Sequence, residues 1–169
     1  IISNKPYIIV CNVDEQSVKN GNNYTKLLKE KYPNQKFVTI CADIESQIID
    51  LKPEERENYM KNIGLEKTGL DKLITSGYDL LNLNTFFTSG PKETRAWTIK
   101  KNTEAQKAAG VIHSDFEKNF IRAEVVSYDD FKRYGSFEKA KENGKLKVEG
   151  KNYFVKDGDV LIFRVNPWP

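Results

Sequence analysis

PYIIVCNVDE, residues 6–15, places a run of apolar, partly β-branched side chains from Tyr7 to Cys11 directly before Asn12-Val13-Asp14-Glu15. A continuous apolar run of this length suits a strand buried on both faces of a parallel sheet. An amide and two carboxylates at its end have two explanations. They make a turn that takes the chain off the sheet, or they line a pocket that addresses the edge of a flat ring. In an open α/β sheet, ligands bind beyond the carboxyl ends of the strands, where this tetrapeptide falls.

The elements that follow fit such a sheet. Tyr24, Leu27, Leu28 and Tyr32 recur at helical spacing, and Pro33-Asn34 ends that helix. Phe37 to Cys41 is a second short apolar strand. Pro53 followed by Glu54 and Glu55 suits a first helical turn, with Gly64 as its stop. Leu70, Leu73, Ile74, Tyr78 and Leu81 mark one more amphipathic helix. Strand, helix, strand, helices is the tail of an α/β domain. Two parallel strands do not complete such a sheet, so its remainder is expected upstream of Ile1.

The pattern changes near Leu83. Short strands are expected at Thr85 to Thr88, Arg95 to Lys100, Phe120 to Ser127, Lys145 to Val148, Tyr153 to Val155 and Val160 to Val165. Thr103-Glu104-Ala105-Gln106 has the form of a capping box, opening a helix with Ala105, Ala108, Ala109 and Ile112 inward. A further short helix is expected over Ser136 to Glu142, and Lys156-Asp157-Gly158-Asp159 is a turn. Two strands, a helix and a mixed set of strands is the order of a β-grasp module. The expected fold class is therefore α/β followed by α+β, with domains at 1–82 and 83–167.

Composition bounds the function. At 169 residues, 38% hydrophobic and 11% aromatic, the chain can fill the core of one ordinary domain or two small ones. Cys11 and Cys41 lie in apolar stretches without C-x-x-C spacing, so neither a disulfide framework nor a zinc site is indicated, and a reducing cytoplasm fits. The two thiols are either small apolar filler or, if their strands are neighbours, oxidation sensors beside the base. No apolar run approaches the roughly 20 residues needed to span a bilayer, and no membrane role is expected. The chain opens on Ile1, and Met60 is its one methionine, which suggests a C-terminal piece of a longer polypeptide. The net charge of +3 is uneven: residues 1–82 carry −1 and residues 83–169 carry +4. That balance admits an anionic partner such as RNA without requiring one.

Asn12-Val13-Asp14-Glu15 has the spacing of the base-specificity motif of P-loop GTPases, Asn-Lys-x-Asp, with Val13 for the lysine and Glu15 for the aspartate. An asparagine amide can both donate to and accept from a purine. A carboxylate selects guanine by taking its N1 and N2 hydrogens together, and a side chain one methylene longer no longer meets both in register, so guanine specificity should be lost. Cys41-Ala42, after the next strand, holds the place of the second base-contacting loop. No G-x-x-x-x-G-K-[ST] occurs, and Gly64-Leu65-Glu66-Lys67-Thr68 is expected to be a loop between helices. Without the phosphate-cradling backbone, lysine and hydroxyl, this chain alone lacks the machinery of phosphoryl transfer.

These residues, with "GLDKLITSGYDLLNLNTFFTSGPKETRAWTIKKNTEAQKAAGVIHSDFEKNFIRAEVVSYDDF" (69–131) and "VEGKNYFVKDGDVLIFRVN" (148–166), resemble the C-terminal part of the YchF or Obg-like ATPase family of TRAFAC-class P-loop proteins. The resemblance covers all but the closing Pro167-Trp168-Pro169. It implies that residues 1–82 are the C-terminal part of a nucleotide-binding domain lacking its P-loop, and that 83–167 form a β-grasp TGS domain. It also implies an intact parent that binds and hydrolyses ATP or GTP with magnesium and associates with ribosomes or ribosomal RNA. Carried over, Asn12, Val13, Glu15, Cys41 and Ala42 become nucleotide-binding positions: Asn12 orients on the base, Val13 packs near it, Glu15 fills the relaxed specificity position and Ala42 offers backbone contacts. None is expected to be catalytic, and this chain alone is expected to bind nucleotide weakly. Lys92, Arg95, Lys100 and Lys101 with Trp97 are a candidate RNA face, cations for phosphates and a ring for an unpaired base. Alternation equally points Trp97 inward with Ile99. His113, the one histidine, either bonds the turn after its helix or contacts RNA. The alternative function is a nucleotide-independent RNA- or protein-binding adaptor.

Overall fold

The structure, a computed structural model, describes residues 5–166. Ile1, at which the piece of a longer polypeptide was placed, and the tail Pro167-Trp168-Pro169, with the 167 boundary, lie outside the described residues. The chain divides into two compact units between Leu81 and Asn82.

In the first unit, β1 (Ile8–Asn12) and β2 (Lys36–Ile40) pair in parallel, Ile8 opposite Lys36 and Asn12 opposite Ile40. Between them runs α1 (Asn23–Lys31), and after them come α2 (Ala42–Ile49), α3 (Pro53–Asn62) and α4 (Gly69–Leu80). Sequence order and strand direction follow the expected α/β pattern. Cys41-Ala42, given the place of a loop, is instead the N-cap and first residue of α2. Ile44 and Ile48, one turn apart, bury against Cys41, Val18 and Met60, while Asp43 and Glu45 favour the positive end of the helix dipole. Helix α1 begins as a reciprocal cap: Thr25 N–H donates to Asn22 Oδ1 and Asn22 N–H to Thr25 Oγ1. Its apolar stripe, at the expected helical spacing, is left largely open. Tyr24 is 77% and Leu27 61% exposed, and Thr25 is what the helix buries. A two-stranded sheet has too little surface to cover it. Leu70 and Ile74 of α4 are open in the same way.

In the second unit, β3 (Leu83–Ser89) and β4 (Thr94–Lys100) form an antiparallel hairpin, followed by α5 (Ala105–Ile112), α6 (Ser114–Lys118), β5 (Phe120–Ser127), α7 (Tyr128–Tyr134), α8 (Phe137–Glu142), β6 (Lys147–Glu149) and β7 (Asp159–Val165). The sheet order is β4-β3-β7-β5-β6, with β7 parallel to β3 and antiparallel to β5. A hairpin, a helix across the sheet and a last strand returning beside the first make a β-grasp arrangement.

Both faces of this sheet are covered. On one, Phe86, Val125 and Leu161 meet α5 through Ala105 and Ala108. Ala105, Ala108 and Ala109 are fully buried, because side chains of one carbon let the helix axis approach the sheet closely. On the other face, Val126 and Val160 pack against Phe137 and Ala140 of α8. That alternation is the period of two expected of a strand between two layers.

Two local expectations are corrected. The capping box at Thr103 does not form: Glu104 is the N-cap without a side-chain bond, Thr103 Oγ1 donates to Lys100 O, and Gln106 Nε2 donates to Glu117 O. The β-turn competes for the hydroxyl. Tyr153 to Val155 is not a strand but a single bridge, Glu104 to Phe154. Its side chains serve the core instead: Val155 is buried, and Tyr153 O–H donates to buried Asp159 Oδ2 at 2.8 Å. Burial, with that carboxylate beside it, pushes the Tyr153 phenol well above its ordinary value.

Candidate functional site

At the carboxyl end of the parallel pair, Val13 N–H donates to Ile40 O at 2.9 Å, extending the ladder one residue beyond β1. Asn12, the last residue of β1, then faces the start of α2. Ala42 N–H donates to Asn12 Oδ1 at 3.0 Å. The first N–H groups of a helix have no intrahelical acceptor, and Cys41, the N-cap of α2, supplies no side-chain bond. Asn12 therefore caps α2 from the neighbouring strand and ties the two sequence motifs together.

This bond also fixes the amide. A backbone N–H can only donate, so the atom facing Ala42 must be the carbonyl oxygen, and the Nδ2 donors turn the other way. Asn12 is solvent-exposed.

The two carboxylates divide their work. Asp14 makes the turn: Ser17 N–H donates to its Oδ1 at 2.8 Å, and Ser17, through its hydroxyl first and its N–H second, holds the carboxyl below its ordinary value. Glu15 instead reaches α2. Its Oε1 accepts from Gln47 Nε2 at 3.1 Å, and Gln47 Oε1 accepts from Tyr59 O–H at 2.7 Å. A third carboxylate, Glu45, bridges to the start of α4, its Oε1 accepting from Gly69 N at 2.6 Å and its Oε2 from Leu70 N at 3.3 Å. Gly64 to Thr68 is indeed the link between α3 and α4, and Thr68 caps α4 through Asp71 N–H.

Three of the five candidate positions are altered by this geometry. The Cys41 side chain is 1% exposed and belongs to the small core, so only its backbone can meet a ligand. Val13 packs its side chain against the same core. The Ala42 N–H, expected to face a base, is taken by Asn12. Asn12 and Glu15 keep exposed polar side chains at the strand end. Cys11 and Cys41 are both buried free thiols. Gln47 was missed because α2 was not recognised as a helix, and Tyr59, although in the helix expected after Pro53, because its partner lies on α2. The spacing of Ile44 and Ile48, one turn apart, was the available signal.

In the second unit the four cations do not converge. Lys92 lies in the turn before β4 and Arg95 at that end, whereas Lys100 and Lys101 stand at the other end, about 20 Å away at the rise of a strand. Arg95 and Lys100 also alternate to opposite faces. Trp97 packs on the core, stacks on Phe86 and donates Nε1–H to Thr88 Oγ1. The Arg95 guanidinium sits 4.3 Å from its ring centroid. Much of the indole surface is thus occupied from within. His113 caps α6, its Nδ1 accepting from Asp115 N–H at 3.2 Å. Among the described residues there is no group of three His, Cys, Asp or Glu side chains placed to hold a metal ion, and no helix long and apolar enough to cross a membrane.

Comparison with known proteins joins these observations. The family model YchF-GTPase_C, described as a protein of unknown function (DUF933), matches residues 83–166. The ribosome-binding ATPase YchF of Bacillus subtilis (strain 168) is 45% identical over 170 residues, covering 98% of this chain and 46% of that protein. Obg-like ATPase 1 of Pongo abelii is 40% identical over 170 residues, covering 98% of this chain and 43% of that protein. The structure of the YchF GTPase of Schizosaccharomyces pombe superposes with a TM-score of 0.79 at 33% identity, over 95% of this chain and 43% of that one. The chain spans less than half the length of each.

Proposed function

The chain belongs to the YchF family of Obg-like ATPases, and from that premise we propose that it carries the purine-reading edge of a ribosome-associated nucleoside triphosphatase, followed by a TGS domain over residues 83–167. The observation that carries the nucleotide reading is the Asn12–Ala42 hydrogen bond. It joins the two base-contacting segments at the carboxyl end of a parallel sheet, the position where open α/β folds bind ligands.

In this reading the Nδ2 group of Asn12 donates to the acceptor edge of the purine, and the Val13 backbone and the loop before α2 flank the ring. Glu15 occupies the position that selects guanine in related sites, and its longer side chain relaxes that selection, so ATP is accepted at least as well as GTP. Hydrolysis requires groups that hold the phosphates and magnesium. No G-x-x-x-x-G-K-[ST] occurs in the sequence, so in this reading the chain contributes recognition of the base, and the phosphoryl step belongs to the longer protein. The TGS domain is the candidate contact to the ribosome or its RNA, and a ribosome partner places the protein in the cytoplasm.

The test is a titration of fluorescent ATP and GTP analogues, with magnesium, against this chain and against the full-length protein. The reading expects the full-length protein to bind ATP at least as tightly as GTP, and this chain to bind both weakly. If the full-length protein binds neither, Asn12 to Glu15 is a turn, and a nucleotide-independent RNA- or protein-binding adaptor takes its place.

A further inference from the structure

We propose that Gln47, itself oriented by Tyr59, is a positioning residue that holds Glu15 back from the base and so determines how adenine and guanine are balanced at this site. The inference rests on the base-reading role of Asn12 to Glu15.

The polarity of the chain Glu15–Gln47–Tyr59 is dictated by chemistry. A carboxylate only accepts, so the amide must turn its NH2 group toward Glu15. Its carbonyl then faces Tyr59, whose hydroxyl must donate. The distances, 3.1 Å and 2.7 Å, fit both bonds. Tyr59 is half-buried against the core of Val18, Cys41, Ile44, Ile48 and Met60, and Gln47 precedes Ile48, which is buried in that core. The Tyr59 end of the relay is thus anchored to packed structure, while Gln47 and Glu15 are exposed.

The consequence lies in what each purine presents. Guanine offers N1–H and N2–H side by side, and a carboxylate holds that pair best with both oxygens. Each carboxylate oxygen can accept a second bond, so the bond from Gln47 to Oε1 acts through position: it draws the carboxylate toward α2, and a two-oxygen clasp on guanine must compete with it. Adenine offers an unprotonated N1 and a C–H on the same edge, against which a free carboxylate would be repelled. A carboxylate drawn aside toward α2 loses the guanine advantage and spares adenine the repulsion.

The test uses full-length protein and the ratio of ATP to GTP dissociation constants, measured by titration of the two nucleotides with magnesium. In Gln47→Leu the ratio is expected to move toward GTP by about tenfold, the change that one charge-assisted hydrogen bond commonly makes. Tyr59→Phe should move it in the same direction by less. In a Glu15→Ala background, Gln47→Leu should produce no further change, because the glutamine acts only through the carboxylate. A merely structural role would weaken both nucleotides together and leave the ratio fixed. An unchanged ratio in Gln47→Leu, with ATP binding weakened in Asn12→Asp, would overturn this inference and leave the base-reading role standing. Wild-type affinity for ATP in Asn12→Asp would overturn both.

Discussion

Asn12 serves two purposes that substitution can separate. Its Oδ1 accepts the Ala42 N–H at 3.0 Å, and in the proposed site its Nδ2 donates to the purine. Asn12→Ala removes both. Asn12→Asp keeps an acceptor for Ala42 and removes only the donor, while placing a charge opposite the purine lone pair. A neutral hydrogen bond contributes about 0.5–1.5 kcal/mol net, and at this exposed position the tether belongs in the lower half of that range. The donor to the base contributes a similar amount, so its loss weakens binding by roughly three- to tenfold, and the aspartate's charge adds to it. Nucleotide titration and thermal melting of full-length protein read the two effects independently. Asn12→Asp should bind ATP at least about threefold more weakly with an unchanged melting temperature, and Asn12→Ala should lower both. Wild-type affinity in Asn12→Asp would refute the base-donor role, and an undiminished melting temperature in Asn12→Ala would refute the tether.

Gly69 begins α4 under tight constraint: a Cβ there would stand 2.7 Å from Ile40 Cγ2 and 2.8 Å from Glu45 Oε1. Gly69→Ala should destabilise by about 1–3 kcal/mol, the usual result of overpacking, despite alanine's better helix propensity, and chemical denaturation checks the sign. Glu124 receives two hydrogen bonds from Arg164, at 3.0 and 2.9 Å. These bonds first, and the charges of Arg164 and Arg122 after them, hold its carboxyl below the ordinary 4.5 against the opposing effect of burial. A carboxyl lowered in the folded state stabilises above its unfolded value and loses that contribution as pH falls through the folded one. Glu124→Gln should therefore lower the melting temperature at neutral pH and flatten its decline below about pH 4.5, narrowing the difference from wild type in acid.

The parallel pair was legible because Tyr7 to Cys11 and Phe37 to Cys41 are continuous apolar runs with helices between them. The strands of the second unit were legible from alternation, and α5 from alanines at helical spacing. What was hidden depended on competition between partners. Thr103 could have capped a helix, but a turn took its hydroxyl. Tyr153 to Val155 alternates like a strand, yet the tyrosine goes to Asp159 and the backbone makes one bridge. In the candidate site, Asn12 and Glu15 were visible as polar residues ending an apolar run. Gln47 and Tyr59 were not, because their relevance comes from a helix packing 32 residues beyond Glu15. The cations around Trp97 looked like a cluster in sequence. A strand's length and alternation separate them in space.

The order of the second sheet bears on how the unit is made. Its middle strand, β7, is the last to be synthesised, and both neighbours, β3 and β5, precede it. Phe87 waits for Val160, and at 5–20 residues per second that interval is roughly 4–15 s. During it the β3–β4 hairpin and the β5–β6 pair exist as two half-sheets, each exposing the edge that β7 will later fill. A nascent chain therefore gains little lasting order in this unit by degrees. It closes in one late step, and a premature stop before Asp159 releases a single chain with two exposed sheet edges in place of one folded module.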